Sequence, residues 1–217
     1  GSKDLPTSRV VIERGERRKV ETLWEDGSVR QLRETNASGG LERNFAADGT
    51  KRRELQWVTI PAAGDTSPNA RLRNIDTLDQ EFHESGKLVR ERRWVPGERG
   101  GEIVSESRWY LNGQLKDRSE FGSSNGRRVR RESNFYDNGK PASVGEWLLT
   151  ESRFSRNDAY GTPFGSHKTF DDQGRLRGER IFDDRGKVAR EREFDERGAL
   201  VRDDEVFEDG SRKSPGK

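Results

Sequence analysis

The chain has 217 residues, 28% of them hydrophobic and 38% charged, and its 42 basic and 40 acidic side chains nearly cancel to +2. Leu, Ile, Val and Phe together number 42, which excludes a large α/β enzyme or a β-sandwich with a filled core; no run approaches the about 18 apolar residues of a membrane-spanning helix. There is no Cys, so disulfides, thiol nucleophiles and zinc–thiolate sites are excluded. A chain this polar folds only if its apolar residues recur regularly and its charges pair.

Residues 1–15 read as an N-terminal segment. Gly1-Ser2 stands where Met would start a chain and is expected to be a cloning scar, with a signal peptide or lipoprotein leader removed. From residue 16 to 213 the chain reads as a single β-repeat array, and 214–217 as a disordered tail. The repeat is an aromatic, an acidic or polar pair, Gly, a basic residue and an aliphatic. Worn copies come first: Trp24-Glu25-Asp26-Gly27 before Val29, Phe45 to Gly49 before Lys51, and Phe82-His83-Glu84-Ser85-Gly86 before Lys87-Leu88. Tyr110-Leu111-Asn112-Gly113, Phe121 leading to Asn125-Gly126, and Tyr136-Asp137-Asn138-Gly139-Lys140 follow. The clearest copies are Phe170 to Leu176, Phe182 to Val188 and Phe194 to Leu200, closed by Phe207-Glu208-Asp209-Gly210. Their glycines, at 174, 186, 198 and 210, are 12 residues apart.

Asp-Gly and Asn-Gly mark tight turns, because Gly adopts positive φ without steric cost. Six to eight alternating residues lie between turns, too short and too Gly-interrupted for helices. The predicted fold is therefore all-β: a repetitive antiparallel β-meander of short hairpins, an elongated twisted sheet. An aromatic before each turn and an aliphatic after it are expected to pair across strands. Phe170, Phe182 and Phe194 are expected to line one face, partly buried. The Arg/Glu-rich strand centres should form ladders of opposite charge, with stability coming from neighbouring units.

Two insertions depart from the beat, at about 59–73 and 155–167, each following a Trp-bearing strand. A shorter irregularity, Pro96 to Gly101, follows Trp94. Aromatics outside the repeat template are candidate anchors for a partner, since scaffolded loops tend to carry function. These are Trp57, Trp147, Tyr160 and Phe164, followed by Trp94 and Trp109. Arg127, Arg128, Arg130 and Arg131 form the one candidate basic patch. Acids interleave the 32 Arg and 10 Lys almost one for one, so nucleic-acid binding is not expected and cross-strand ion pairing is.

Catalytic chemistry finds little footing. His83 and His167 lie 84 residues apart and read as solvated surface residues, with no serine in a nucleophile elbow beside either. The carboxylate pairs Asp171-Asp172, Asp183-Asp184 and Asp203-Asp204 read as turn residues. No phosphate-binding glycine loop is present. The reading is a non-enzyme with no cofactor and no metal.

Tyr136 to Lys140 and Phe170 to Leu176 resemble the second type of MORN repeat, the bacterial variant linked to toxin–antitoxin systems. The resemblance covers most of Glu16 to Lys213. Gly145-Glu146-Trp147 is the nearest match to the Gly-x-Trp segment usual in that family, and Phe replaces Tyr in the clearest copies. The same residues are similar to the YD repeats of bacterial Rhs-type shells. The MORN resemblance implies a protein-binding role: an immunity protein or antitoxin that neutralises a bacterial toxin or secreted effector, encoded nearby, by steric occlusion. The YD resemblance implies a structural scaffold fragment of a shell or surface protein. A removed leader would place the protein in the bacterial periplasm, the alternative being the cytoplasm, with membrane contact only through such a leader or a lipid anchor.

Overall fold

The computed structural model describes residues 7–62, 65, 67, 69–98, 100–149 and 161–214. Among them the chain is all strand and turn, with no helix. Sixteen strands hydrogen-bond in chain order, and the pairings are antiparallel: the meander predicted from the glycine beat. The chain divides into two compact units, Gly1–Glu106 and Ser107–Lys217.

The first unit contains β1 (Ser8–Glu13), β2 (Glu16–Leu23), β3 (Val29–Asn36), β4 (Gly39–Phe45), β5 (Lys51–Pro61), β6 (Leu72–Phe82), β7 (Leu88–Gly97) and most of β8 (Gly100–Trp109). The array thus already begins inside the segment read as preceding it. The second unit contains β9 (Leu115–Ser124), β10 (Arg127–Phe135), β11 (Pro141–Leu149), β12 (Gly161–Phe170), β13 (Leu176–Phe182), β14 (Val188–Phe194), β15 (Leu200–Val206) and β16 (Arg212–Lys213). Of the insertion predicted at 59–73, Thr59 to Pro61 and Leu72 to Arg73 belong to the paired strands β5 and β6, and residues 63, 64, 66 and 68 lie outside the described residues. The one at 155–167 is shorter than predicted, because β12 starts at Gly161; residues 150–160 lie outside the described residues. Of the predicted tail, Ser214 is held, its hydroxyl donating to Asp204 at 2.6 Å, and 215–217 lie outside the described residues.

The repeated turn has one geometry. At Asp171 to Arg175, the Asp171 N–H donates to the Arg175 carbonyl (2.9 Å) and the Gly174 N–H to the Asp171 carbonyl (2.8 Å). Gly174 sits at φ +80°, the left-handed position of a turn closed by a glycine bulge. Counting back from that glycine corrects the template. The residue four before it ends the strand, as Phe170, Phe135 and Phe82 do; the residue three before it opens the turn, as Asp171, Tyr136 and His83 do. Tyr136 and Phe170 are therefore not equivalent. Where Asp opens the turn, its carboxylate accepts the turn's own N–H groups: Asp171 accepts from Gln173 (3.0 Å) and Arg175 (2.9 Å). Where Tyr opens it, Asn just before the glycine takes that role, as Asn138 does for the Lys140 N–H at 2.9 Å. The freed tyrosine hydroxyl ties successive turns together: Tyr110 donates to the Phe135 carbonyl (2.9 Å) and Tyr136 to that of Phe170 (2.8 Å).

The aromatic–aliphatic pairs form as expected: Phe82 opposite Leu88, Phe170 opposite Leu176, Phe182 opposite Val188 and Phe194 opposite Leu200. Just beyond each, the register slips by one residue, so Val89, Arg177, Ala189 and Val201 are extra. The slip has a consequence for the faces. Partners across a ladder share a face, and Lys168, Glu179, Arg192 and Asp203 form one row. Strand alternation puts Phe170 and Phe194 on that row's face. Phe182 lies on the other, with His167, Arg180, Glu191 and Asp204. The three phenylalanines are half-buried but do not line one face; the structural repeat is two units, not one.

Both faces carry the predicted charge ladders. On one, Glu179 meets Arg192 at 2.9 Å and Lys168 at 3.8 Å, and Asp203 meets Arg190 at 2.5 Å. On the other, Glu191 meets Arg180 at 2.9 Å and Arg212 at 2.8 Å. Asp203 and Asp204 are thus mid-strand ladder residues, not turn residues. Some of these acids are buried in both units: in the second, Asp204 is 4% exposed, and in the first, Asp79, 3% exposed, is gripped by Arg53 (2.8 Å) and Arg92 (2.7 Å). The stems of such arginines cover the sheet where apolar side chains are scarce.

Candidate functional site

The richest cluster of candidate residues is in the second unit, around β10, β11 and β12. Val144 pairs with Lys168, but the next pair is Glu146 with Phe164. Gly145 thus faces three residues, 165 to 167, and Gly165 takes φ +66° to accommodate the bulge. His167 fills the gap in the ladder. Its Nε2 lies 2.7 Å from the Glu146 carbonyl and 3.2 Å from the Glu146 N–H. One ring nitrogen can donate to the first or accept from the second, and the shorter distance favours donation. A Cβ on Gly145 would come 2.7 Å from the His167 Nδ1, so the glycine is what admits the ring.

His167 also organises aromatics. Its ring centroid is 4.6 Å from that of Trp147, edge-on, and 4.6 Å from that of Phe182. It is partly buried, not the solvated residue expected from sequence. Sequence reasoning gave it no role because nothing local marks it: its partners are 20 residues upstream and 15 downstream. The usable signal was Gly145-x-Trp147 set against Gly165-x-His167.

The predicted anchors and the basic patch meet here as two aromatic–guanidinium pairs on opposite faces of the same strands. Arg130 pairs with Trp147 across β10 and β11, its guanidinium 5.1 Å from the ring centroid. Arg127 lies 5.7 Å from the Phe164 ring centroid and 3.6 Å from Asp184. Beside Phe164, Arg131 meets Glu146 at 2.5 Å. Arg128 is exposed on the Trp147 face. Tyr160 lies outside the described residues. Trp109 is half-buried at the end of β8, apart from this cluster in the strand order.

The first unit treats its candidates differently. Trp57 is 7% exposed. It lies across Gly40, where a Cβ would come 2.4 Å from the indole, and Arg33 caps the ring at 5.0 Å. It packs the sheet and offers no exposed anchor. Trp94 is half-buried with Arg92 5.4 Å from its ring centroid. It borders an open groove of about 350 Å³ with Asn74, Ile75, Asp76, Gly100 and Gly101. Burial, followed by the nearby Asp79 charge, raises the Asp76 carboxyl above its ordinary range, against Arg53. His83 serves its turn as Asp171 does: its Nδ1 accepts the Ser85 N–H at 3.1 Å.

No family model matches the chain, and no curated protein matches it. Among solved structures, it is similar to a porin-like protein from Bacteroides uniformis ATCC 8492 at 10% identity and a TM-score of 0.25, over 85% of this chain and 91% of that one. It is also similar to a TcdB2-TccC3-Cdc42 structure at 13% identity and a TM-score of 0.15, over 92% of this chain but only 13% of that one. A related TcdB2-TccC3-TEV structure matches at 12% identity and a TM-score of 0.16, again over 13% of its length.

Proposed function

We propose that the chain is a non-enzymatic protein-binding repeat protein whose partner docks on one face of β10 to β12, the face of Trp147 and Arg130 or that of Phe164 and Arg127. The observation that carries this reading is the presentation of two aromatic–arginine pairs by a regular sheet. Arg130 is already stacked on Trp147 and Arg127 already near Phe164, so little side-chain freedom remains to be lost on binding. Aromatic and arginine side chains held in this way supply much of the energy of protein interfaces. The resemblance to the second MORN type narrows the reading to an immunity protein or antitoxin that covers a toxin or effector.

The test is co-purification with the product of the neighbouring gene, followed by binding measurements on variants. Of Trp147→Ala and Phe164→Ala, the one on the docking face should cost at least about 2 kcal/mol of binding with the fold retained, and the other, on the opposite face, much less. Glu196→Ala, on the exposed turn between β14 and β15, should change nothing. Equal losses at all three positions, or no association at all, would overturn the reading; in the second case the scaffold alternative takes its place.

A further inference from the structure

The outer edge of β1 breaks the habit of the rest of the molecule. Every residue from Ser8 to Glu13 is exposed, and Val10, Val11 and Ile12 are 44%, 51% and 61% exposed in succession. Among the described residues β1 stands first in the strand order and pairs only with β2. Between Ser8 and Glu13 it has no proline and no lysine, two of the devices that keep edge strands from pairing. Of the other exposed large apolar residues, Leu72, Val95, Leu111 and Phe207 stand singly and Leu200–Val201 form one adjacent pair; single exposed apolar residues are ordinary for a surface, and among the described residues β1 carries three in succession.

The phase of the free edge follows from one hydrogen bond. The Leu23 N–H donates to the Thr7 carbonyl at 3.0 Å, so Thr7 turns its backbone toward β2, and Arg9 and Val11 do the same. Ser8, Val10 and Ile12 turn theirs outward. The register slip at Val11/Ile12 leaves this intact, because the extra residue, Arg18, is on β2. A strand added antiparallel to this edge must bring its own outward residues opposite these.

We infer that β1 pairs antiparallel with β1 of a second copy of this chain, in the register centred on Val11. That register satisfies the hydrogen-bond phase, placing Val10 of each copy opposite Ile12 of the other. It also sets Arg9 opposite Glu13 at both ends of the pair. The neighbouring registers of the same phase, centred on Val10 or Ile12, put Arg9 opposite Val11 or Glu13 opposite Val11 and lose both charge pairs. The sequence Arg9-Val10-Val11-Ile12-Glu13 is therefore self-complementary in charge, apolar contact and backbone phase together. The two-fold pairing uses the same patch on both copies, as a closed dimer requires. It is independent of the partner surface on β10 to β12.

Sedimentation of the full chain across about 1–300 μM measures it, a range suited to a small interface. The expected result is a monomer–dimer equilibrium for the unaltered protein. Arg9→Glu should face Glu13 of its copy, and Glu13→Arg should face Arg9; each should weaken self-association about tenfold or more. An equimolar mixture of the two variants should associate again, because both ends of the mixed pair become opposite in charge. Val11→Lys, at the two-fold axis, should be monomeric, with thermal melts checking that all variants stay folded. A monomer throughout, association indifferent to the charge reversals, or a mixture that fails to associate would each overturn the inference.

Discussion

Glu54 is 7% exposed, and three donors converge on it: Arg43 at 2.9 Å, Lys51 at 3.0 Å and Gln56 at 2.8 Å. Burial alone would raise its carboxyl, but the donors overcome it and hold the group at about 2, against an ordinary 4.5. The unfolded chain therefore binds the proton first as pH falls. The stabilisation is complete above about 4.5 and is lost as pH drops toward about 2. Urea midpoints at pH 5.5 and 2.5 should show Glu54→Gln losing about 2 kcal/mol less stability across that interval than the unaltered protein. Asp79, also lowered, leaves the variant some residual slope. Parallel losses would show that Glu54 is not held by these partners. At His167 the logic is packing with hydrogen bonding. His167→Ala should cost about 1–3 kcal/mol by stranding the Glu146 carbonyl. Gly145→Ala should also destabilise, through its clash with the ring, and the double variant should fall short of the sum in chemical denaturation.

At the scale of the element, the turns were the most legible part of the chain. Asp-Gly and Asn-Gly announced positive φ, and at Phe82, Phe170, Phe182 and Phe194 the aromatic before and the aliphatic after the turn met as partners because both flank the same closing pair, whereas Phe45 meets Lys51 and Phe135 meets Pro141. Gly198 sits at φ +79°, and a Cβ there would meet nothing within 4 Å. Gly198→Ala should therefore cost only the left-handed strain, about 1–2 kcal/mol, and Gly198→Asn less, read from thermal unfolding. The faces were not legible. An even period of 12 suggests that Phe170, Phe182 and Phe194 point the same way, but the extra residue after each turn resets the alternation, and no residue type marks it. Arg177, Ala189 and Val201 occupy that position with equal ease. Half-buried, against His167 and apart from Phe170 and Phe194, Phe182 should cost less on truncation than the about 3–5 kcal/mol of a fully buried phenylalanine. Of the candidate site, the sequence singled out Trp147, Phe164 and the basic run, which neighbouring strands bring close together, but not the bulge that seats His167 between Trp147 and Phe182.

At the scale of the whole molecule, the two units differ in what holds each of them. Among the described residues, the buried apolar side chains are Leu23, Trp57, Ile75 and Leu78, all within Gly1–Glu106. In Ser107–Lys217 the buried side chains are polar: Ser107, Asp117 and Asp204. That second unit relies on half-exposed aromatics and on ladders such as Arg180–Glu191, whose arginine is 66% exposed. Solvent-exposed ion pairs contribute about 0–1 kcal/mol each, whereas fully burying one large apolar side chain contributes about 1.5–3 kcal/mol. Hydrogen exchange should therefore be slowest in β5 and β6, which carry Trp57, Ile75 and Leu78, and at least about tenfold faster in β13 to β15. Salt at about 1 M shortens electrostatic reach to about 3 Å, and should widen the gap by loosening the ladders of the second unit more than the packed strands of the first. Equal protection in β5 and β14, unchanged by salt, would overturn this account, because neither apolar burial nor screenable cross-strand charge would then distinguish the two units.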